Sequence, residues 1–317
     1  MWTHAEPVRA PWPIRAVTLL GCLGALLIGF FGLLRPWYLN WGADRNLQRA
    51  RLPGDELLWE GAPHETLAIE IAAPAAQVWP WVAQIGQDRA GFYSFEILEN
   101  LVGCEMKNLD IVIPALGRWA PGDRLWLYPR EKAGGVGQAP LARHDPGRAL
   151  VFYTRRPTTS PADPPEGTWA FIVQPIDGAH ARFIVRGRAQ GGPGLLGRAF
   201  ESSVFEPLHF VMERKMMEGV KARAEGRTVS RAADDAQVAL WLATFAALVA
   251  SAVAVLRGRA WPRHVITFTA AGALFALLTL GQPSLLVSVP LVAALWGAIG
   301  AARVPGPRRF SPAADHR

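Results

Sequence analysis

Lysine is nearly missing from this 317-residue chain: only Lys107, Lys132, Lys215 and Lys221 stand among 33 basic residues, the rest being arginine. Such a bias marks a GC-rich coding sequence more than a binding function. The net charge is +7. The arginines gather beside apolar runs and form no stripe with interleaved aromatics, which argues against nucleic acid as a partner. Cysteine is also scarce. Cys22 lies in an apolar run and Cys104 in the more polar middle, so no disulfide forms within a domain and the redox compartment stays open. No serine nucleophile elbow occurs. His64, His144, His180 and His209 lack metal-ligand spacing, so the histidines predict no zinc site, and no cofactor is expected. The glycine-rich 133–137 stretch lacks the strand-to-helix context of a phosphate loop and reads as a hairpin connection.

Apolar residues, by contrast, make up 50% of the chain and are concentrated at its ends. Ala16–Leu34 holds 19 residues without a charge, which at about 1.5 Å per residue matches the hydrocarbon thickness of a bilayer. Arg15 and Arg35 bracket this run, with Trp37, Tyr38 and Trp41 as an aromatic belt. It is too long for a signal-peptide core, and Cys22 sits too early within it for a lipoprotein, so an uncleaved anchor is expected. Ala236–Leu256, Val265–Leu280 and Leu285–Ala302 are three further spans. The last two are joined by a short turn, and Pro290 sits inside the fourth. Arginines before span one, after span two and after span four place both termini in the cytoplasm, with the middle domain outside.

The middle reads as α+β. Leu67, Ile69 and Ile71 alternate with Ala68, Glu70 and Ala72 as a strand; Pro74 opens a helix that Gly86 ends; Tyr93–Leu101 is a second short helix. Asp123–Tyr128, Ala139–His144, Ala149–Arg155, Thr168–Gln174 and Ala181–Ala189 are strands joined by short turns, hence antiparallel. Phe183, Val185 and Gly187 face a dry side, and Arg182, Arg186 and Arg188 a wet one. A long helix from Leu196 to Glu225 closes the domain, kinked or restarted at Pro207. Phe205, His209, Met212, Met216 and Val220 form its apolar stripe, and Glu206, Glu213, Arg214, Glu218 and Lys221 its solvent side.

That order, with the words Ala73-Pro74-Ala75-Ala76-Gln77-Val78-Trp79, Gln87-Asp88-Arg89-Ala90-Gly91-Phe92-Tyr93-Ser94 and Pro207-Leu208-His209-Phe210-Val211-Met212-Glu213-Arg214, resembles a membrane-associated bacterial subgroup of the START-like (SRPBCC, polyketide cyclase and lipid-transport) superfamily. The resemblance covers roughly residues 65–225. It implies a helix-grip fold, a curved antiparallel sheet wrapped around a long C-terminal helix, flanked here by transmembrane α-helices. It also implies a mostly apolar cavity but no fixed catalytic set. The cavity candidates are Tyr93, Trp169, Phe171, Phe183, Phe205, His209, Met212 and Met216. Each has a plain alternative as ordinary core, and Glu96 with Glu99 reads first as a solvated helical face.

The expected organisation is a tail and first span over 1–34, a linker over 35–64, the helix-grip domain over 65–226, a linker over 227–235, three spans over 236–302 and a tail over 303–317. The expected function is binding or carrying of a hydrophobic small molecule or lipid at the bilayer, without catalysis. A cyclase or aromatase-type enzyme is the alternative, for which His209 with Glu96 or Tyr93 would be the acid–base pair. A structural or regulatory membrane protein with a filled cavity is the third reading.

Overall fold

A computed structural model describes residues 10–62, 64–132, 137–154, 166–189, 194–258 and 260–303. The glycine-rich 133–137 connection falls almost entirely outside them, as does the end of the strand expected to reach Arg155. The chain divides into two units, one formed by Met1–Phe31 with Ala236–Arg317 and the other by Gly32–Asp235.

Helix α1 (Trp12–Gly29) continues through a π turn, Phe30–Leu34, into α2 (Arg35–Tyr38). From there the 32–235 unit runs through α3 (Arg45–Arg49), β1 (His64–Ile71), α4 (Ala75–Ala83), α5 (Glu96–Leu101) and β2 (Arg124–Trp126). It continues through β3 (Gln138–Asp145), β4 (Ala149–Thr154), β5 (Gly167–Pro175) and β6 (Ala181–Ala189) to α6 (Gly194–Phe200) and α7 (Glu206–Ala224). The six strands form one antiparallel sheet in the order β1-β6-β5-β4-β3-β2, with α4 and α7 packed on its inner face. This is the helix-grip fold. The helix at Pro74 ends earlier than expected, at Ala83, and the second helix starts only at Glu96. Tyr93 takes a left-handed backbone (φ 57°) that a helix cannot accommodate. Pro207 stands in the first turn of α7, directly after the second π turn, Glu201–Phe205, where the α-helical ladder restarts.

Inner-face alternation follows the expected register: Leu67 pairs with Val185, Ile69 with Phe183, and Phe171 with Val185. Phe171 and Phe183 have no exposed surface. Gly219 of α7 lies so close to Tyr93 that an added Cβ would overlap the Tyr93 carbonyl, which is how α7 approaches the loop before α5.

The outer face departs from expectation. Arg186 and Arg188 are 4% and 7% exposed, so the face read as wet is dry around them, while Arg182 near its end pairs with an exposed Glu70. Residues 43–57, read as linker, lie over it. Leu47 and Leu52 join Ala68, Ala149, Val151, Ala170, Ile172 and Ile184 in a second core layer. Asp55 enters this layer and meets both guanidinium groups, at 3.0 Å from Arg186 and 3.7 Å from Arg188. Arg186 also donates to Thr66 Oγ1, Gln48 O and Ala50 O, and Arg188 to the carbonyls of Asp55 and Trp59. The edge of β1 is closed in a similar way: the N–H groups of Thr66 and Ala68 donate to the carbonyls of Leu39 and Trp41 at 2.9 Å. Tyr38, expected in an interfacial belt, is fully buried and stacks on Phe210 at 5.2 Å, while Trp37 remains 43% exposed.

The remaining helices are α8 (Arg231–Arg257), α9 (Trp261–Gly281) and α10 (Leu285–Arg303). α8 begins five residues before the expected span. Its first turn belongs to the 32–235 unit, where Lys215 pairs with Asp234 and Arg231 donates to Asn108 O at 2.7 Å. The stretches Trp12–Tyr38, Arg231–Arg257, Trp261–Gly281 and Leu285–Ala302 are four helices long and apolar enough to cross a membrane. Within their unit, Ala247, Ala271, Leu295 and Ile299 make an apolar core, and Thr267 Oγ1 donates to Ser251 Oγ at 2.9 Å between α8 and α9.

Candidate functional site

The site grows from one glycine and one helical repeat. On β1, Glu65 points to the inner face and pairs in register with Gly187 on β6. A side chain at Gly187 would overlap the Glu65 carboxylate, so the glycine leaves room for Glu65 to reach toward α7. On α7, His209 and Glu213 are four residues apart and share a face. His209 Nδ1 lies 3.6 Å from Glu65 Oε1, and His209 Nε2 lies 3.7 Å from Glu213 Oε1. Trp169 on β5 donates its indole N–H to Glu213 Oε1 at 2.6 Å. Two carboxylates from different elements thus flank one imidazole, and an indole fixes the deeper carboxylate.

Burial and charge oppose each other here. The Glu213 side chain is 2% exposed, and its Oε2 is enclosed with no hydrogen-bond partner among the described residues. Burial therefore raises the Glu213 carboxyl to about 8, with the Glu65 charge adding and His209 and the Trp169 N–H pulling the other way. For His209 burial disfavours the imidazolium, but the charges of Glu213 and Glu65 outweigh it and raise the group to about 9. His209 and Glu213 therefore titrate as a coupled pair.

Aromatic rings surround this cluster. Phe205 stacks on His209 at 5.3 Å, Trp169 lies 5.4 Å from the same imidazole, and Phe92 stacks on Trp169 at 6.1 Å. Phe205 is 53% exposed and the His209 side chain 27% exposed, so the group opens to the outside at this end. Trp169 meets Phe171 at 4.6 Å, and Phe171 meets Phe183 at 6.4 Å, carrying the ring series into the closed interior.

The sequence candidates therefore separate into two groups. Trp169, Phe205 and His209 come together at the open end. Phe171, Phe183 and Met216 lie in the packed interior, where no solvent-sized space adjoins Phe171 or Phe183. Met212 is half-buried, and its carbonyl accepts a hydrogen bond from Ser94. Tyr93 is buried elsewhere, its hydroxyl accepting from Gln84 at 2.8 Å. Glu96, the other partner considered for His209, accepts from the Asn108 N–H and lies 3.4 Å from Arg231. Glu99 does not sit on a solvated face: burial and the neighbouring Glu96 charge raise its carboxyl to about 8. Glu213 is the main reversal, a residue placed on the solvent side of the helix that instead anchors the site. Glu65 was missed altogether. Its signal was its place on the Leu67–Ile69–Ile71 face of β1, where a carboxylate breaks an apolar row.

Two clefts of about 350 and 630 Å³ open elsewhere on this unit. The first is lined by Tyr93, Glu96, Arg223, Arg231 and Asp234, and the second by Gln48, Arg51, Glu56 and Arg188. Neither includes Glu65, His209 or Glu213.

No protein-family model matches the sequence, and no curated protein matches it. Solved structures do. A protein from Thermobifida fusca is similar at 19% identity over 52% of this chain and 97% of its own, with a TM-score of 0.32. The di-domain ARO/CYC BexL from the BE-7585A biosynthetic pathway is similar at 17% identity over 51% of this chain and 46% of that one, with a TM-score of 0.29. A Polyketide_cyc-like protein from Corynebacterium glutamicum is similar at 13% identity over 53% of this chain and 88% of its own, with a TM-score of 0.23. The helix-grip assignment rests on the strand order and helix placement of this chain itself.

Proposed function

We propose that the helix-grip domain binds a hydrophobic molecule, lipid-like or polycyclic, that carries a polar group, and that the four apolar helices tether this domain to the bacterial cytoplasmic membrane. The carrying observation is the open end of the site, where an exposed Phe205 ring stacks on a partly exposed His209 above a buried carboxylate. Exposed aromatic surface suits an apolar body, and the convergent Glu65, His209 and Glu213 groups suit one polar head. Leu195, Leu196, Phe200, Val204 and Leu208 also stand exposed beside Phe205 in the chain, an apolar stretch that suits traffic of such a molecule. The cyclase-type alternative lacks the His209 partners first nominated for it, since Tyr93 and Glu96 are engaged with other residues.

Gly187→Leu tests this reading. Its side chain would displace Glu65 and crowd the open end beside Trp169, the partner of Gly187 in register on β5. An apolar naphthyl fluorophore should bind the detergent-purified variant about tenfold more weakly, a loss of about 1.4 kcal/mol, with the helical circular dichroism unchanged. Unchanged probe affinity would remove the open end as the binding place.

The proposed topology has both termini in the cytoplasm and the helix-grip domain outside. Reporters fused after Arg303 and inserted at the exposed Gly178 turn should accordingly label opposite sides of the membrane. Labelling on one side would require an even number of crossings between them to replace the proposed odd one.

A further inference from the structure

We propose that Glu65, His209 and Glu213 form a binding site for a divalent transition metal ion, Zn²⁺ or one of similar ligand preference. Each residue offers one donor atom, and the three donor atoms all lie within 4.8 Å of one another. Zinc binds imidazole nitrogen and carboxylate oxygen at about 2.0–2.2 Å, so donors sharing one ion stand roughly 3–4 Å apart. The separation of His209 Nε2 from Glu213 Oε1, 3.7 Å, falls in that range, and Glu65 lies 3.6 Å from the other ring nitrogen, Nδ1. A turn of the Glu65 side chain, whose Cβ lies on the rigid β1–β6 pairing, brings the third donor in. His209 and Glu213 are four residues apart on one helix, the spacing that lets two helical ligands reach one ion.

A second, independent observation points to a ligand. Glu213 is 2% exposed, yet its Oε2 has no hydrogen-bond donor among the described residues. Enclosing a carboxylate oxygen without a partner is costly, and a cation beside it removes that cost. The other oxygen of the same carboxylate accepts from Trp169 Nε1 at 2.6 Å, the kind of outer hydrogen bond that orients a metal-bound carboxylate. Charge balance agrees, because two carboxylates and a neutral imidazole leave two negative charges that one divalent ion cancels. One imidazole with two carboxylates suits Zn²⁺, Mn²⁺ or Fe²⁺ better than Ca²⁺, which prefers an all-oxygen shell. The ion would keep open positions toward Phe205 and the outside, since the protein supplies only three ligands.

The test uses the untagged full chain in detergent, stripped with EDTA and titrated with Co²⁺ alone, then with Zn²⁺. The expected result is one equivalent of Co²⁺ giving visible d–d absorption that Zn²⁺ abolishes. Trp169→Phe keeps the ring and removes only the indole N–H, and should weaken Co²⁺ binding by about 10–100-fold. Glu213→Gln, close in shape to the native residue, should abolish the absorption band while the circular dichroism of the chain is retained. A wild-type chain that is folded but gives no Co²⁺ band, or a band unchanged in both variants, overturns the proposal. Naphthyl-probe binding measured on the same metal-free samples separates this outcome from failure of the ligand reading, which does not depend on the ion.

Discussion

Asp55→Ala should destabilise the 32–235 unit by about 3–5 kcal/mol, the range for removing one partner of a buried ion pair. Asp55 is the carboxylate that accompanies two arginines under the outer layer: Arg186 and Arg188 have side chains 5% and 7% exposed, and Asp55 itself is 10% exposed. Both guanidinium groups keep neutral acceptors after the substitution, including Thr66 Oγ1 and the carbonyls of Gln48, Ala50 and Trp59. Those acceptors supply hydrogen bonds but no net charge, so two cations would remain enclosed without a counter-ion. Asp55→Asn retains shape and one acceptor and should fall between alanine and wild type. Denaturant titration of the chain in detergent, followed by tryptophan fluorescence, measures both. A loss under 1 kcal/mol for Asp55→Ala would mean that residues 43–57 are an unattached linker and that the arginine face is wet.

Glu213→Ala should cost about 2–3 kcal/mol, where a solvent-facing residue would cost within about 0.5 kcal/mol. The larger figure comes from the Trp169 indole N–H, which the substitution leaves buried without an acceptor, a penalty of about 1–3 kcal/mol. Glu218→Ala on the same helix is the control. Glu218 pairs with Arg214 at 3.0 Å on the outer side with its side chain 35% exposed, and its removal should cost less than about 1 kcal/mol. The double variant Trp169→Phe with Glu213→Ala should recover part of the loss, because neither half of the hydrogen bond then remains unpaired. Equal stability of the Glu213 and Glu218 variants would return Glu213 to the solvent side.

These two residues mark where sequence reading succeeds and where it stops. Strand alternation located β5 and β6 to within one residue, since each carries apolar side chains at period two and ends at turn residues, while β1 begins three residues before the alternation that marks it. The four apolar helices were legible from charge-free length alone. Periodicity, however, assigns a charged residue to solvent by default. It therefore misplaced Glu213 and passed over Glu65, whose partners lie 144 and 148 positions away in sequence. The outer layer was hidden for a related reason: Leu47 sits on the short helix α3 and Leu52 and Asp55 on the turns after it, and only tertiary packing brings them over the sheet. One clue was present. Ala170, Ile172 and Ile184 are apolar at the positions that alternation assigns to water, as expected of strands buried on both faces. Arg186 and Arg188 masked that clue because their counter-ion was out of view.

The most direct measurement is mass spectrometry of small molecules that co-purify with the full chain from its native membrane, compared between wild type and His209→Ala. The account predicts a reproducible hydrophobic molecule bearing a polar group in the wild type, depleted in the variant while the chain stays folded. The same molecule retained equally by both would place binding away from His209. A folded wild type that carries no such molecule and binds no apolar probe would contradict the account at its centre.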